Sequence, residues 1–282
     1  MTAGRPAAPG SGPVARASGA ATPVRGTLYL VPNTLDTGLP GTLPVPALDE
    51  VLPQGVIRLA AGLGHWVCEN AKTTRAFLKR VDALVPLAAP IQSLVLRELP
   101  RAPKGGAARA GVSHEVWRDL LAPALAGHDI GLSSEAGLPA VADPGAALVQ
   151  TAHDLGLRVV ALPGPSSLLL ALAASGLQGQ HFAFVGYLPV EAAARAARIR
   201  ELEATSRRLG QSQLMIETPY RNAALLAALL STLQPTSRLA VACGLTLGCG
   251  FNRSDTVTGW RRQPMEVPAD MPAVFSLLAA AG

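Results

Sequence analysis

Two glutamates and an arginine stand where apolar runs give way to helical sequence, a place from which side chains can act on a ligand. Glu69 follows the apolar residues 66–68, and a carboxylate facing a cleft there can accept a proton from a hydroxyl nucleophile. Glu217 ends a second apolar run, and Arg221 follows it closely enough to orient a phosphate group. A structural role is equally open, because carboxylates are stabilised at helix starts and Glu217 can pair with Arg221.

Two loops rich in Gly and Pro lie in the segment 129–189, each between an apolar run and a helical pattern. The first, EAGLP, contains Gly137, which lets the backbone approach a ligand closely because it has no Cβ. The second, PGPSS, leads into a helix that Gly176 ends. We expect both loops at the carboxyl ends of strands, where open α/β sheets bind ligands. Well-made turns would give the same pattern.

These loops belong to an alternation of apolar runs and helices, which predicts a mainly parallel α/β sheet. Asp143-Pro144 predicts a helix N-cap followed by Pro at the first helical position, with Gly156 ending that helix. For the whole chain we predict a tail over 1–25, an N-terminal α/β domain over 26–127 and a C-terminal α/β domain over 128–282.

Composition favours a folded protein, since 49% of the 282 residues are hydrophobic and 15% are charged. The formal charge of +5 invites a nucleic-acid partner, but Arg5, Arg16 and Arg25 of an acid-free tail supply three of these charges. The remaining excess is a weak argument for RNA. The tail has no apolar signal block, although its composition would also suit an organelle transit peptide.

Several kinds of site and location are disfavoured. Cys68, Cys243 and Cys249 have neither CxxC spacing nor a neighbouring His, so we expect no zinc site and no disulfide framework, which fits the cytoplasm. The longest apolar stretch, 159–177, is interrupted by a Pro-Gly-Pro sequence, so no membrane helix is expected. A serine hydrolase is disfavoured because Ser166 and Ser167 lie outside any GxSxG elbow.

Four segments in order resemble the motifs of the tetrapyrrole methylase family, the class III methyltransferases that use S-adenosylmethionine. They are SEAGLPAVADPG, LPGPSSLLLALAASGL, FVGYLP and IETPYRN. Four motifs in order are more specific than any single one. The resemblance implies two α/β domains with the cofactor in the cleft between them, and a homodimer. Within the family, the chain most resembles bacterial enzymes that methylate small-subunit ribosomal RNA.

The resemblance also implies which residues hold S-adenosylmethionine. On the first strands and loops these are Pro32, Gly137, Leu138, Pro139 and Val141, and further along they are Ser166, Ser167, Leu168, Met215, Ile216, Ala242, Pro272 and Ala273. The expected acceptor is a ribose 2′-hydroxyl, for which Glu69, Glu217 and Arg221 are the candidate catalytic residues. No metal is required, because the cofactor carries its own activated methyl group.

Two other functions stay open. A small-molecule acceptor such as a tetrapyrrole carbon is one, since the chain is not strongly basic. A regulatory module that binds the cofactor without transferring methyl is the other, because residues 33–38 and the segment LTLGCGF at 245–251 depart from the family pattern. Two basic features are equally ambiguous. The Lys104 loop suits phosphate or a linker, and the Arg-rich helix predicted over 190–209 suits an RNA-facing ridge or a solvated surface.

Overall fold

The structure is a computed structural model that describes residues 24–36, 44–100 and 112–280, and it contains two five-stranded sheets. The first sheet is wholly parallel with the order β3-β2-β4-β1-β5. The second is mixed with the order β6-β7-β10-β8-β9. The first sheet comprises β1 (Thr27–Leu30), β2 (His65–Cys68), β3 (Val95–Glu98), β4 (Ile130–Ser133) and β5 (Arg158–Ala161). The second comprises β6 (Phe182–Tyr187), β7 (Ser212–Glu217), β8 (Arg238–Cys243), β9 (Phe251–Thr256) and β10 (Ala273–Leu278).

Helices cover both faces of the first sheet. They are α1 (Leu48–Val51), α2 (Gln54–Gly62), α3 (Ala71–Asp82), α4 (His114–Leu120), α5 (Ala122–Leu125) and α6 (Ala146–Asp154). Trp66 packs with α1, α2 and α3 on one face, while its neighbour Val67 packs with α4, α5 and α6 on the other. Gly131 is required under the Trp66 ring, because an added Cβ would lie 2.6 Å from it. This burial of both faces is what apolar parallel strands demand.

The second sheet is also covered on both faces. Its helices are α7 (Ser167–Ser175), α8 (Ala192–Leu209), α9 (Asn222–Thr232) and α10 (Val257–Arg262). Phe275 and Met215 pack with α8, α9 and α10 in the larger core, whereas Leu214 and Val274 pack with α7 on the opposite face. Gly176 and Gly210 end α7 and α8 in the left-handed conformation, as predicted for Gly176. The predicted class of two α/β domains is therefore confirmed.

Two features differ from the predictions. The division between the sheets falls between β5 and β6, not after residue 127, because β4 inserts between β2 and β1 through pairings that local sequence does not encode. The segment 129–189 therefore contributes strands to both sheets. β10 lies at the middle of its sheet and is antiparallel to both neighbours. Of the predicted 1–25 tail, residues 1–23 lie outside the described residues, as does the Lys104 loop.

Candidate functional site

A cavity of about 500 Å³ opens between the two sheets, at the carboxyl ends of β2, β4 and β7. Both domains contribute to its walls. The first domain supplies Leu35, Glu69, Thr73, Glu135, Ala136, Gly137, Leu138, Val141, Ala142 and Asp143. The start of α7 and the second domain supply Ser166, Ser167, Leu168, Tyr187, Ile216, Glu217, Thr218, Pro219, Gly244, Leu245, Leu247, Pro272, Ala273 and Val274.

The Gly137 loop is held in place by the loop that follows β1. Asn33 N–H donates to the Gly137 carbonyl at 2.9 Å and Gly137 N–H donates back at 3.2 Å. The Asn33 side-chain amide also donates to the Glu135 carbonyl at 3.0 Å. Gly137 has φ +70, and an added Cβ would lie 3.2 Å from Leu35 Cδ2 and 3.4 Å from the Pro165 carbonyl oxygen. A side chain at this position would therefore strain the backbone and crowd the cavity wall.

Asp143 lies in the cavity wall and does not cap a helix as predicted. α6 begins three residues later at Ala146, with Gly145 as its N-cap at φ +131. Ala140 and Ala142 have φ values of 63° and 62°, which are costly for residues with a Cβ. Strained backbone of this kind is typical of functional sites. This turn precedes α6 and leads into Asp143, which lines the cavity.

Acidic neighbours and burial raise the pKa of Asp143. Removal from water raises it most, Glu69 and Glu135 raise it further through like-charge repulsion, and the polar Ser134 hydroxyl nearby lowers it. The resulting pKa is about 6. Asp143 can thus exchange a proton close to neutral pH, as an acid–base group in a cleft often does.

Glu69 reaches the cavity from the end of β2, as predicted from its strand-end position. Its Oε2 accepts a hydrogen bond from Glu135 N–H at 3.1 Å. Capping of α3 falls to Asn70, whose Oδ1 accepts from the Lys72 and Thr73 N–H groups. The Asn70 amide also donates to Glu135 Oε1 at 2.9 Å. The N-cap of α3 is therefore Asn70, and Glu69 lies one residue before it, where the helix dipole also favours a carboxylate.

Glu217 and Arg221 form the ion pair that sequence reasoning considered. Arg221 Nη2 lies 3.0 Å from Glu217 Oε2, and the Glu217 side chain is only 2% exposed. Thr218 N–H donates to the other Glu217 oxygen at 2.9 Å. Glu217 lines the cavity, whereas Arg221 stands behind it and Tyr220 is 73% exposed. The pair places a well-satisfied carboxylate on the second-domain wall.

The structure gathers most, but not all, of the residues that the resemblance assigns to the cofactor. Those that line the cavity are Gly137, Leu138, Val141, Ser166, Ser167, Leu168, Ile216, Pro272 and Ala273. Those that do not are Pro32, Pro139, Met215 and Ala242. Met215 is 0% exposed and packs into the core on the far face of the sheet, because strand neighbours alternate in direction. Ala242 packs beneath α7, and Pro32 packs against Gly164.

Sequence reasoning missed several lining residues. Asp143 stood inside the SEAGLPAVADPG motif but was assigned to a cap, and Tyr187 stood inside FVGYLP. Leu245 and Leu247 belong to the segment LTLGCGF, which departs from the family pattern and nevertheless forms part of the wall. Tyr187 lies close enough to Asp143 and Glu217 that both raise its pKa, after burial. Asp143 and Tyr187 could have been identified from sequence, because both lie inside the family motifs.

The charge of the lining is one-sided. Within the described ranges, every charged residue that lines the cavity is an acid: Glu69, Glu135, Asp143 and Glu217. The same part of the chain contains no cluster of three or more His, Cys, Asp or Glu side chains that could hold a metal ion. Nor does any helix within it have the length and apolar character needed to cross a membrane. The cavity therefore favours a ligand that carries positive charge.

Comparison with known proteins finds similar curated proteins that share one name. A protein of Mesorhizobium japonicum named ribosomal RNA small subunit methyltransferase I is 32% identical over 226 residues, covering 80% of this chain and 66% of the relative. The protein of the same name from Pseudomonas aeruginosa is 42% identical over 95 residues, covering 34% of this chain and 32% of the relative. The matches thus span about two thirds or less of these relatives.

Solved structures share the fold. The methyltransferase CobJ aligns with a TM-score of 0.53 at 17% identity, covering 91% of this chain and 95% of that one. A conserved hypothetical protein from Aeropyrum pernix K1 aligns with a TM-score of 0.55 at 15% identity, covering 92% and 86%. The family model for tetrapyrrole (corrin/porphyrin) methylases matches residues 71–248. Because that match spans more than half of the chain, the chain belongs to the tetrapyrrole methylase family.

Proposed function

We propose that this protein is an S-adenosylmethionine-dependent methyltransferase whose cofactor binds in the cavity between the two domains. One observation carries the proposal: the cavity is walled by the loops that hold the family motifs, including Gly137 and Ser166. Family membership and the names of the relatives support it. Ligands of α/β sheets bind at the same carboxyl edge of the strands.

The residues present fit the cofactor. A cavity of about 500 Å³ is within the range for small-molecule sites. Its acidic lining complements the positive sulfonium and ammonium groups of S-adenosylmethionine. Gly137 provides a cradle that a Cβ would begin to fill, since such an atom would meet Leu35 and the Pro165 carbonyl. Apolar residues such as Leu168 and Ile216 provide surface for the adenine.

When bound, S-adenosylmethionine supplies an activated methyl group on a positively charged sulfur. The task left to the chain is to align the acceptor and exclude water. The Gly137 loop, the start of α7 and the residues Pro272 and Ala273 would hold the cofactor from three sides. Pro32, Met215 and Ala242 would act behind these residues, through packing. Pro139 is buried and does not line the cavity. Neither a covalent nucleophile nor a resident metal is part of the proposal.

The acceptor we propose is a ribose 2′-hydroxyl of small-subunit ribosomal RNA, in the cytoplasm, and we propose a homodimer as the assembly. The names of the relatives support the RNA acceptor. Among the predicted catalytic residues, Glu69 and Glu217 face the cavity and can position the acceptor. Arg221 is engaged by Glu217, so its proposed role is to fix that carboxylate. Light scattering of the purified protein tests the dimer.

A small-molecule acceptor is the second candidate, and the acidic lining favours it. Phosphate groups would be repelled by Glu69, Glu135, Asp143 and Glu217, so an RNA acceptor must keep its phosphates outside the cavity. Titration of RNA binding against salt separates the two. Phosphate contacts on the outer surface give a steep salt dependence, whereas a small acceptor in the cavity leaves RNA binding weak at every salt concentration.

The cofactor site is tested by isothermal titration with S-adenosylmethionine and S-adenosylhomocysteine. Gly137→Val should abolish binding, because the new side chain strains the backbone and enters the wall. Gly55→Val is the matched control, since Gly55 is exposed in α2 and an added Cβ meets nothing within 4 Å. Equal loss in both variants, or no binding by the folded wild type, would overturn the site.

Methyl transfer is tested separately, with labelled cofactor and small ribosomal subunits. We expect label in the RNA. If it is a 2′-O-methyl group, the neighbouring phosphodiester should resist alkaline hydrolysis. Binding of the cofactor with no label in RNA or in a tetrapyrrole would instead support the regulatory module that the departing segments 33–38 and 245–251 suggest.

A further inference from the structure

The four carboxylates that line the cavity are not equivalent in the hydrogen bonds they receive. Glu217 is held by Arg221 and by the Thr218 backbone, at 3.0 and 2.9 Å. Glu69 accepts from the Glu135 backbone at 3.1 Å, and Glu135 accepts from the Asn70 amide at 2.9 Å. Each of these three carboxylates is therefore engaged by a donor of the protein itself.

Asp143 is the exception among these four. The nearby Ser134 hydroxyl donates to the Ala136 carbonyl at 3.1 Å. Among the described residues, no cation lies beside Asp143 to offset the repulsion from Glu69 and Glu135. It follows a turn in which Ala140 and Ala142 have positive φ. Tyr187 approaches it from the second domain, which places Asp143 where the two walls of the cavity meet.

We propose that Asp143 is the catalytic base of this site and accepts the proton of the acceptor hydroxyl. The proposal rests on the proposed methyl transfer and assigns the role to a residue other than Glu69 and Glu217. Its grounds are the position of Asp143 in the cavity and the occupation of the other three carboxylates by protein donors.

The step balances without a further reactant. The acceptor oxygen forms a bond to the methyl carbon while the bond from that carbon to sulfur breaks, and the electron pair of the broken bond stays on sulfur. The hydroxyl proton passes to an oxygen of Asp143 and then to water. The products are a methyl ether and S-adenosylhomocysteine, with Asp143 returned to its carboxylate form.

The electrostatics of the site agree with this role. The groups that face Asp143 are Glu69 from the end of β2, Glu135 and Ser134 from the end of β4, and Tyr187 from β6. Together with burial they bring its pKa to about 6, high enough to be an effective base and low enough to be ionised at pH 7.5.

The first test is independent of any acceptor. Aspartate carboxyl carbons are labelled with ¹³C in the full-length protein, and the Asp143 signal is assigned as the one lost in Asp143→Asn. We expect that signal to titrate near pH 6 in the wild type. Titration near pH 4, the usual value for an exposed aspartate, would overturn the proposal. Asp49→Asn, an exposed position in α1, is the matched control and should leave the pH 6 titration intact.

The second test uses the substrate on which the wild type is active. Asp143→Asn should lower kcat about 100-fold or more while S-adenosylhomocysteine binds with affinity within about threefold of wild type. The wild-type rate should rise with pH through about 6, and the residual rate of the variant should lose that dependence. Full activity in Asp143→Asn would overturn the role of Asp143 alone. A wild type that binds cofactor but transfers methyl to nothing would overturn the proposed function while leaving the titration result standing.

Discussion

Burial of Asp143 beside Glu69 and Glu135 links the stability of the fold to pH. The pKa of Asp143 in the folded protein, about 6, lies above 3.8, the ordinary value for an aspartate. The folded state therefore binds this proton more tightly than the unfolded state does. Its contribution to stability is fully present below about pH 4 and is lost as the pH rises through 6. At neutral pH the buried charge is a cost to the fold.

Asp143→Asn should therefore stabilise the protein at pH 8 and not at pH 4. Removal of the buried charge should raise the free energy of unfolding by about 1 kcal/mol at pH 8, a change of a few degrees in Tm, after discount for partial solvent exposure. Calorimetry at the two pH values measures it. An equal change at both would mean that the substitution acts through packing and not through charge.

The Glu217–Arg221 pair should behave as a buried structural pair. Arg221→Met would leave the Glu217 carboxylate, 2% exposed, without its cation. We expect the variant to lose about 3 kcal/mol of stability, as when one partner of a buried pair is removed. The double variant Glu217→Gln/Arg221→Met should recover most of this loss, since no buried charge remains. Urea denaturation of the wild type, the two single variants and the double variant measures these stabilities. A loss below about 0.5 kcal/mol for Arg221→Met would contradict a buried structural pair.

At the scale of elements, the loops after β1, β2 and β4 hold one another. Asn33 bonds to the Glu135 carbonyl and the Gly137 backbone, and Asn70 bonds to the Glu135 side chain. The cavity wall is therefore fixed by contacts between loops from three neighbouring strands, β1, β2 and β4, with β4 in the middle. Such mutual support keeps a binding loop in one conformation before its ligand arrives.

Asn33→Ala should weaken S-adenosylhomocysteine binding about tenfold, because it frees the Glu135 carbonyl and the turn at Thr34 while leaving every lining side chain in place. Isothermal titration measures the change. Asn252→Ala, at an exposed position of β9, is the control and should bind as the wild type does. Unchanged affinity in Asn33→Ala would mean that the backbone bridge to Gly137 alone holds the loop.

Element boundaries were predictable where the signal is local. The start of α3 at Ala71 and the glycine ends of α7 and α8 follow from capping chemistry written within a few residues. Strand order was not predictable. The insertion of β4 between β2 and β1, and of β10 between β7 and β8, depends on pairing between distant segments.

The candidate site was predictable as far as the motifs reach. Gly137 and Ser166 were identified because their loops are conspicuous in sequence. Asp143 was not identified, because Asp before Pro is typical of a helix start. The positive φ values just before it occur at Ala140 and Ala142, and only a glycine there would have indicated such a turn in the sequence. Met215 packs into the core whereas Ile216 lines the cavity, because neighbouring side chains on a strand point to opposite faces. This difference is predictable once the strand is known.

At the scale of the whole molecule, the cavity is the place where two separate cores meet. Trp66 belongs to the core around α2 and α3, whereas Phe275 belongs to the core around α8 and α9. A ligand between them contacts both domains and stabilises each by mass action. The stability of the two domains should therefore become linked when the cavity is filled.

S-adenosylhomocysteine at 100 times its Kd should add about 2.7 kcal/mol to the stability of both domains. Hydrogen exchange should slow in residues 135–143 of the first domain and in residues 244–247 and 272–274 of the second, because both groups line the cavity. Protection confined to one domain would show that the ligand binds outside the interface between them.

The central position of β10 determines when the second sheet can be completed during synthesis of the chain. The first sheet has all its strands once the chain has been made as far as Ala161, but the second lacks its middle strand until Leu278 has been added. At usual elongation rates of about 5–20 residues per second, the interval is on the order of ten seconds. During it, β7 and β8 have no partner on the sides that β10 will occupy. We therefore expect the second domain to complete its folding later than the first, after β10 has been added.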